Sequence, residues 1–135
     1  MKRTQTVSLP EIPRLAKTVA AELRGGETLA LIGPLGAGKT TFVQALGREL
    51  GIRRRLTSPS FSLMHKFPAR LPSKPQPVWL YHLDLYRSKN FREAQALGLE
   101  EFWGRPETIT AIEWADKIRS HWPKKTFVFI FSTLV

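Results

Sequence analysis

The chain has 135 residues, 42% of them hydrophobic, which suits one compact domain with a substantial core and excludes a disordered or low-complexity protein. It contains no cysteine, which excludes a disulfide framework and any thiolate metal site and agrees with a reducing, cytoplasmic setting. Lysine and arginine outnumber aspartate and glutamate by 21 to 11, and the resulting net charge of +10 favours an anionic partner such as nucleic acid or an acidic protein surface.

The opening Met1-Lys2-Arg3 stretch is basic through Lys2 and Arg3, but polar residues follow it, so no secretory leader is expected. The longest apolar run, residues 126–135, is too short to span a bilayer, and no membrane association is expected. Residues 4–9 read as a short strand. Ser8-Leu9-Pro10-Glu11 then offers an N-cap serine, a proline in the first turn and an acid three residues after the cap. The helix that follows carries Ile12, Leu15, Ala16, Val19, Ala20 and Leu23 on one apolar stripe, stops at Gly25-Gly26, and is expected to cover a sheet.

Residues 28–32 are apolar and β-compatible, and residues from Phe42 onward take a helical pattern with Phe42, Val43, Leu46 and Leu50 on one side. Between them, Gly33-Pro34-Leu35-Gly36-Ala37-Gly38-Lys39-Thr40 fits the phosphate-loop pattern G-x-x-x-x-G-K-[ST] at every fixed position, with a strand before it and a helix after it. Such a loop turns its backbone N–H groups onto phosphate oxygens, so it must bend tightly without β-carbons in the way; Gly33, Gly36 and Gly38 allow that. The helix aims the positive end of its dipole at the same anion. Lys39 is expected to reach the β- and γ-phosphates, and the Thr40 hydroxyl to ligate the Mg²⁺ that bridges them. A glycine turn that merely ended a strand would have no need of a Lys-Thr pair at the helix start.

Arg53-Arg54-Arg55, with Lys66, Arg70 and Lys74 further on, form modest basic clusters that serve either a solvated surface or RNA contact. Residues 56–63 hold small hydroxylated residues around Pro59, which pushes Ser58 towards extended geometry, so they form a loop entering a strand. Its position suits a switch over the γ-phosphate, although an ordinary hydroxyl-rich turn has the same composition. Residues 67–78, with Pro68, Pro72, Pro75 and Pro77, show no periodicity and read as a surface connection.

Residues 79–86 alternate as a strand that runs out into Asp84, an acid able to take Mg²⁺ directly or through water, or to orient the basic segments nearby. His82 has no second histidine or cysteine at metal-ligand spacing and is given no catalytic role. Residues 92–97 form a short helical stretch closed by Gly98, and residues 99–103 a second; Glu93 and Glu101 read as exposed helix acids. Residues 108–114 form an apolar strand ending in Glu113. With a phosphate loop upstream, this is the second half of a nucleotide hydrolase: the strand delivers a carboxylate that holds metal-bound water or orients the attacking water.

GPLGAGKTT at residues 33–41, LTSPSFSL at 56–63, YHLDLYR at 81–87, EAQALGLEEF at 93–102 and AIEWADKI at 111–118 resemble, in this order, the TsaE (YjeE) family. That family is the ATPase component of the bacterial machinery for the N6-threonylcarbamoyladenosine modification of tRNA at adenosine 37. The resemblance implies an α/β fold of the P-loop NTPase type, three-layered, with a small and mainly parallel central sheet in a single domain over residues 1–135. It implies ATP and Mg²⁺ as cofactors, with Gly33, Leu35, Gly36, Ala37, Gly38, Lys39, Thr40, Thr41 and Trp114 around the nucleotide. Ser58, Pro59, Ser60 and Phe61 would form the switch loop. Lys39, Asp84 and Glu113 would be the catalytic residues, and Thr40, Asp84 and Glu113 those nearest the metal. Partners would be the TsaD and TsaB proteins, with tRNA contact through the basic surface, and ATP hydrolysis would reset the complex while the carbamoyl transfer takes place on TsaD.

The proline-rich 67–78 connection is longer than the family suggests. The chain also stops at Val135, where members continue for a further strand or hairpin. Residues 125–135 read as the terminal strand itself, and because an unpaired apolar strand at an end is an aggregation hazard, the C-terminus reads as truncated or altered. A P-loop small-molecule kinase would need a lid and an acceptor site, and no arginine-rich lid pattern follows the central strands. A GTPase would need an N-K-x-D element, which is absent. A nucleotide-dependent binding module with negligible turnover differs from a partner-stimulated ATPase mainly by a rate.

Overall fold

The computed structural model describes residues 1–59 and 63–133. Strands β1 (Thr4–Val7), β2 (Thr28–Ile32), β3 (Met64–Arg70), β4 (Pro77–Asp84), β5 (Thr108–Glu113) and β6 (Thr126–Phe131) form one six-stranded sheet in the order β1-β6-β2-β5-β4-β3. All neighbouring pairs are parallel except the β3–β4 hairpin. The phosphate-loop strand β2 and the Glu113 strand β5 are direct neighbours, with Leu31 opposite Glu113.

Side-chain alternation on the central strands divides the core in two. Leu29 and Leu31 of β2, Ile109 and Ala111 of β5, and Phe129 and Phe131 of β6 join the apolar faces of α1 (Ile12–Glu22) and α2 (Lys39–Glu49). Ala30, Ile112 and Val128, on the opposite face, pack with α3 (Phe91–Gln95), α4 (Leu99–Phe102) and the 3₁₀ segment Ala115–His121. A sheet apolar on both faces needs cover on both, which is why the mainly parallel arrangement is a three-layer one.

Local signals explain the element ends. Before α1 the chain makes a 3₁₀ turn at Leu9–Glu11, where the Glu11 carboxylate accepts from Ser8 N at 2.9 Å and from Ser8 Oγ at 2.5 Å. After α1, the Glu27 carboxylate accepts from Arg24 N and Gly25 N at 2.8 and 2.7 Å, satisfying the turn into β2.

Two expectations change. The 67–78 segment is largely a β-hairpin: Phe67 and Ala69 are buried while Lys66, Pro68 and Arg70 are exposed, a strand alternation that its prolines hid. Pro68 is tolerated because β3 is an edge strand, where a missing ladder donor costs least. The apolar strand near the C-terminus is not unpaired, since β6 is hydrogen-bonded between β1 and β2. Among the described residues, no helix is long and apolar enough to cross a membrane.

Candidate functional site

The phosphate loop runs from the end of β2 into α2 through glycines in the left-handed region, with φ of +150° at Gly33, +76° at Gly36 and +113° at Gly38. A β-carbon on Gly33 would lie 2.6 Å from the Phe131 carbonyl oxygen, so two constraints demand glycine there. The first hydrogen bond of α2 runs from Phe42 N to Gly38 O at 2.8 Å. The N–H groups of Lys39, Thr40 and Thr41 consequently have no acceptor within the helix, which gives this helix start its anion-binding character.

A cavity of about 340 Å³ opens at this end of the central strands. The loop and α2 contribute Leu35, Gly36, Gly38, Lys39, Thr40 and Thr41 to its wall, and Ser58, Asp84, Glu113 and Trp114 close it from the sheet side. Gly33 lies beneath and takes part through its carbonyl. Ala37 faces the core with 1% of its surface exposed, and Pro59 is buried outside the cavity lining. Ser60 and Phe61 lie outside the described residues.

The polar groups form a connected set. Lys39 Nζ donates to the Gly33 carbonyl and to the Pro34 carbonyl, the latter at 3.0 Å, and stands 4.0 Å from the centroid of the Trp114 ring. Burial pushes the Lys39 ammonium below its ordinary pKa of 10.5, while the negative charges of Glu113, Asp84 and Asp116 pull the other way. Thr40 Oγ1 donates to Glu113, 3.0 Å from Oε1 and 2.8 Å from Oε2. Asp84 accepts from Ser58 Oγ at 2.8 Å and from Tyr86 N at 2.9 Å. The parallel register sets Asp84 beside Glu113, bringing both carboxylates to the same end of the sheet.

Thr40, Asp84 and Glu113 are oxygen donors suited to a hard cation. Among the described residues no group of three or more His, Cys, Asp or Glu could hold a metal ion.

Two residues at the site escaped the sequence reading. Tyr86 lines the cavity, its ring centroid 5.0 Å from that of Trp114. His82, fully buried, has Nε2 2.7 Å from Glu113 Oε2. The two-residue spacing from His82 to Asp84 puts both on one face of a strand, but the contact with Glu113 depends on the register of β4 against β5. Trp114 itself adopts φ +61° and ψ 35°, a left-handed conformation rare for a bulky residue and held by its backbone N–H donating to Leu31 O at 3.0 Å.

A family model described as "Threonylcarbamoyl adenosine biosynthesis protein TsaE" matches residues 6–133. The chain is 36% identical over 122 residues to the tRNA threonylcarbamoyladenosine biosynthesis protein TsaE of Bacillus subtilis, covering 90% of this chain and 71% of that protein. It is 40% identical over 104 residues to the protein of the same name from Synechocystis, covering 74% of this chain and 61% of that protein. For the Treponema pallidum relative the identity is 33% over 120 residues, with 88% and 82% covered. The crystal structure of Bacillus subtilis YdiB superposes with a TM-score of 0.63 at 31% identity, over 87% of this chain and 67% of that one. Fold, motif order and sequence similarity across nearly the whole chain agree: the protein belongs to the TsaE family of threonylcarbamoyladenosine biosynthesis.

Proposed function

We propose that the protein is a Mg²⁺-dependent ATPase of tRNA N6-threonylcarbamoyladenosine biosynthesis. It acts with TsaD and TsaB through ATP binding and hydrolysis and leaves the carbamoyl transfer to TsaD. The observation that carries this reading is the convergence of Lys39, Thr40, Asp84 and Glu113 on one cavity at the start of α2. The loop N–H groups and the Lys39 ammonium bind the triphosphate, and Lys39 exchanges its two carbonyl partners for phosphate oxygens. Thr40, with Asp84 and Glu113, holds the magnesium ion, which when bound neutralises charge on the phosphates. Glu113 orients the attacking water, Asp84 ties the Ser58 loop to the site, and Trp114 with Tyr86 forms an aromatic wall beside the nucleotide. The basic surface around Arg53-Arg54-Arg55 contacts tRNA.

Calorimetry and turnover assays test this directly. Lys39→Ala is expected to weaken Mg·ATP binding by about tenfold to a hundredfold, the worth of a hydrogen bond to a charged group. Thr40→Ala impairs Mg²⁺-dependent turnover more than nucleotide docking, and Glu113→Gln keeps binding and loses hydrolysis. Addition of TsaD and TsaB accelerates the wild type. Binding without turnover, alone or with those partners, would favour a nucleotide-dependent binding module, and absence of binding by the folded protein would remove the proposal altogether.

A further inference from the structure

We propose that His82 is a positioning residue: its imidazole Nε2–H holds the Glu113 carboxylate in the cavity from within the sheet, on the reading above that Glu113 serves hydrolysis. His82 has no exposed surface, and its Nε2 lies 2.7 Å from Glu113 Oε2, while Nδ1 has no hydrogen-bond partner. The tautomer follows from those facts. A proton on Nδ1 alone would leave a buried N–H donor unpaired and would set the bare Nε2 lone pair against a carboxylate oxygen, both costly. A proton on Nε2 makes the short contact a charge-assisted hydrogen bond.

The second support of Glu113 is of a different kind. Thr40 Oγ1 belongs to the first turn of α2, at the end of the phosphate loop, and is itself a proposed metal ligand. His82 and Glu113 instead come from β4 and β5, adjacent interior strands whose ladder fixes their separation. Among the described residues, the His82 bond is therefore the side-chain tether of the Glu113 carboxylate that does not depend on the conformation of the loop. A buried donor that orients a working carboxylate has an effect on activity of about tenfold to a hundredfold when removed.

Selective ¹⁵N labelling of the three histidines, His65, His82 and His121, tests the contact without turnover. In the nucleotide-free protein a long-range ¹H–¹⁵N spectrum is expected to show His82 as the Nε2–H tautomer, with its Nε2 resonance shifted in Glu113→Gln. An Nδ1–H tautomer, or a resonance indifferent to that substitution, overturns the proposal whatever the ATPase activity. In turnover, His82→Leu is expected to lower kcat about tenfold or more with KM changed by no more than about threefold. His82→Gln, which offers an amide N–H in a similar place, recovers most of that loss. Equal losses in the Leu and Gln variants that track a fall in melting temperature assign His82 to folding and overturn its positioning role. If the wild type turns over no ATP, the proposed activity fails and the spectrum alone decides the matter of His82.

Discussion

His65 shows how a single side chain on the rim of this fold acquires a pH response. It lies opposite His82 across the β3–β4 hairpin, and its ring meets that of Phe67 edge-on at 6.1 Å. Partial burial, then the neighbouring His82 and Arg54, hold its pKa below the ordinary histidine value of 6.5. Its folded form therefore resists protonation more than its unfolded form does. As pH falls through 6.5 towards the lowered folded value, the unfolded chain takes up protons first and stability is lost; above 6.5 the contribution is fully present. Denaturant midpoints are thus expected to fall between pH 7.5 and pH 5.5, and His65→Gln to narrow that fall. An identical pH dependence in wild type and variant would assign it to other groups. Because His65 is partly solvated, the effect is expected to be small beside that of a fully buried residue.

Among the elements, the phosphate loop makes the sharpest distinction between glycines. Gly33 at φ +150° has the Phe131 carbonyl 2.6 Å from any added β-carbon, whereas Gly36 at φ +76° has nothing within 4 Å. Gly36→Ala should therefore cost only backbone strain, about 1–2 kcal/mol, while Gly33→Ala must also push β2 and β6 apart and cost more. Equal losses in chemical denaturation of the two variants would contradict the close approach of the loop to β6. The strand, loop and helix around these glycines were legible in the chain because each carries a local pattern, as were the stripe of α1 and the β-branched run of β5 ending in Glu113. The β3–β4 hairpin was not, since four prolines in residues 67–78 outweighed the Phe67 and Ala69 alternation, and only the edge position of β3 makes Pro68 harmless. Asp84 and Glu113 could be singled out as strand-end acids next to a phosphate loop. The His82–Glu113 contact could not, because it depends on the register of β4 against β5 and no local spacing encodes that.

At the scale of the whole molecule, the sheet order sends the phosphate loop and both acids to one end of the interior strands, and the distribution of charge adds a second surface. Arg53, Arg54 and Arg55 follow α2 as three exposed residues, and shallow clefts to either side of them are lined by Arg48 and Gln44 on one flank and by His65, Lys66 and Phe67 on the other. Among the described residues none of the three arginines forms an ion pair, and Arg54 lies over the Phe67 ring at 5.3 Å. The cleft on the β3 flank also includes Thr57, the neighbour of Ser58 in the candidate-site cavity, so the basic surface and that cavity share one loop. With a net charge of +10, tRNA affinity should fall with salt by a logarithmic slope of about 0.7–0.9 for each phosphate neutralised. Replacing Arg53, Arg54 and Arg55 together by alanine should lower that slope by about two to three, and because all three are exposed, folding should change by no more than about 0.5 kcal/mol for each. Filter binding across a salt series measures both slopes. A flat response in the wild type would leave the positive charge to solubility, whereas a steep slope unchanged in the triple variant would move the contact away from the loop that joins α2 to β3.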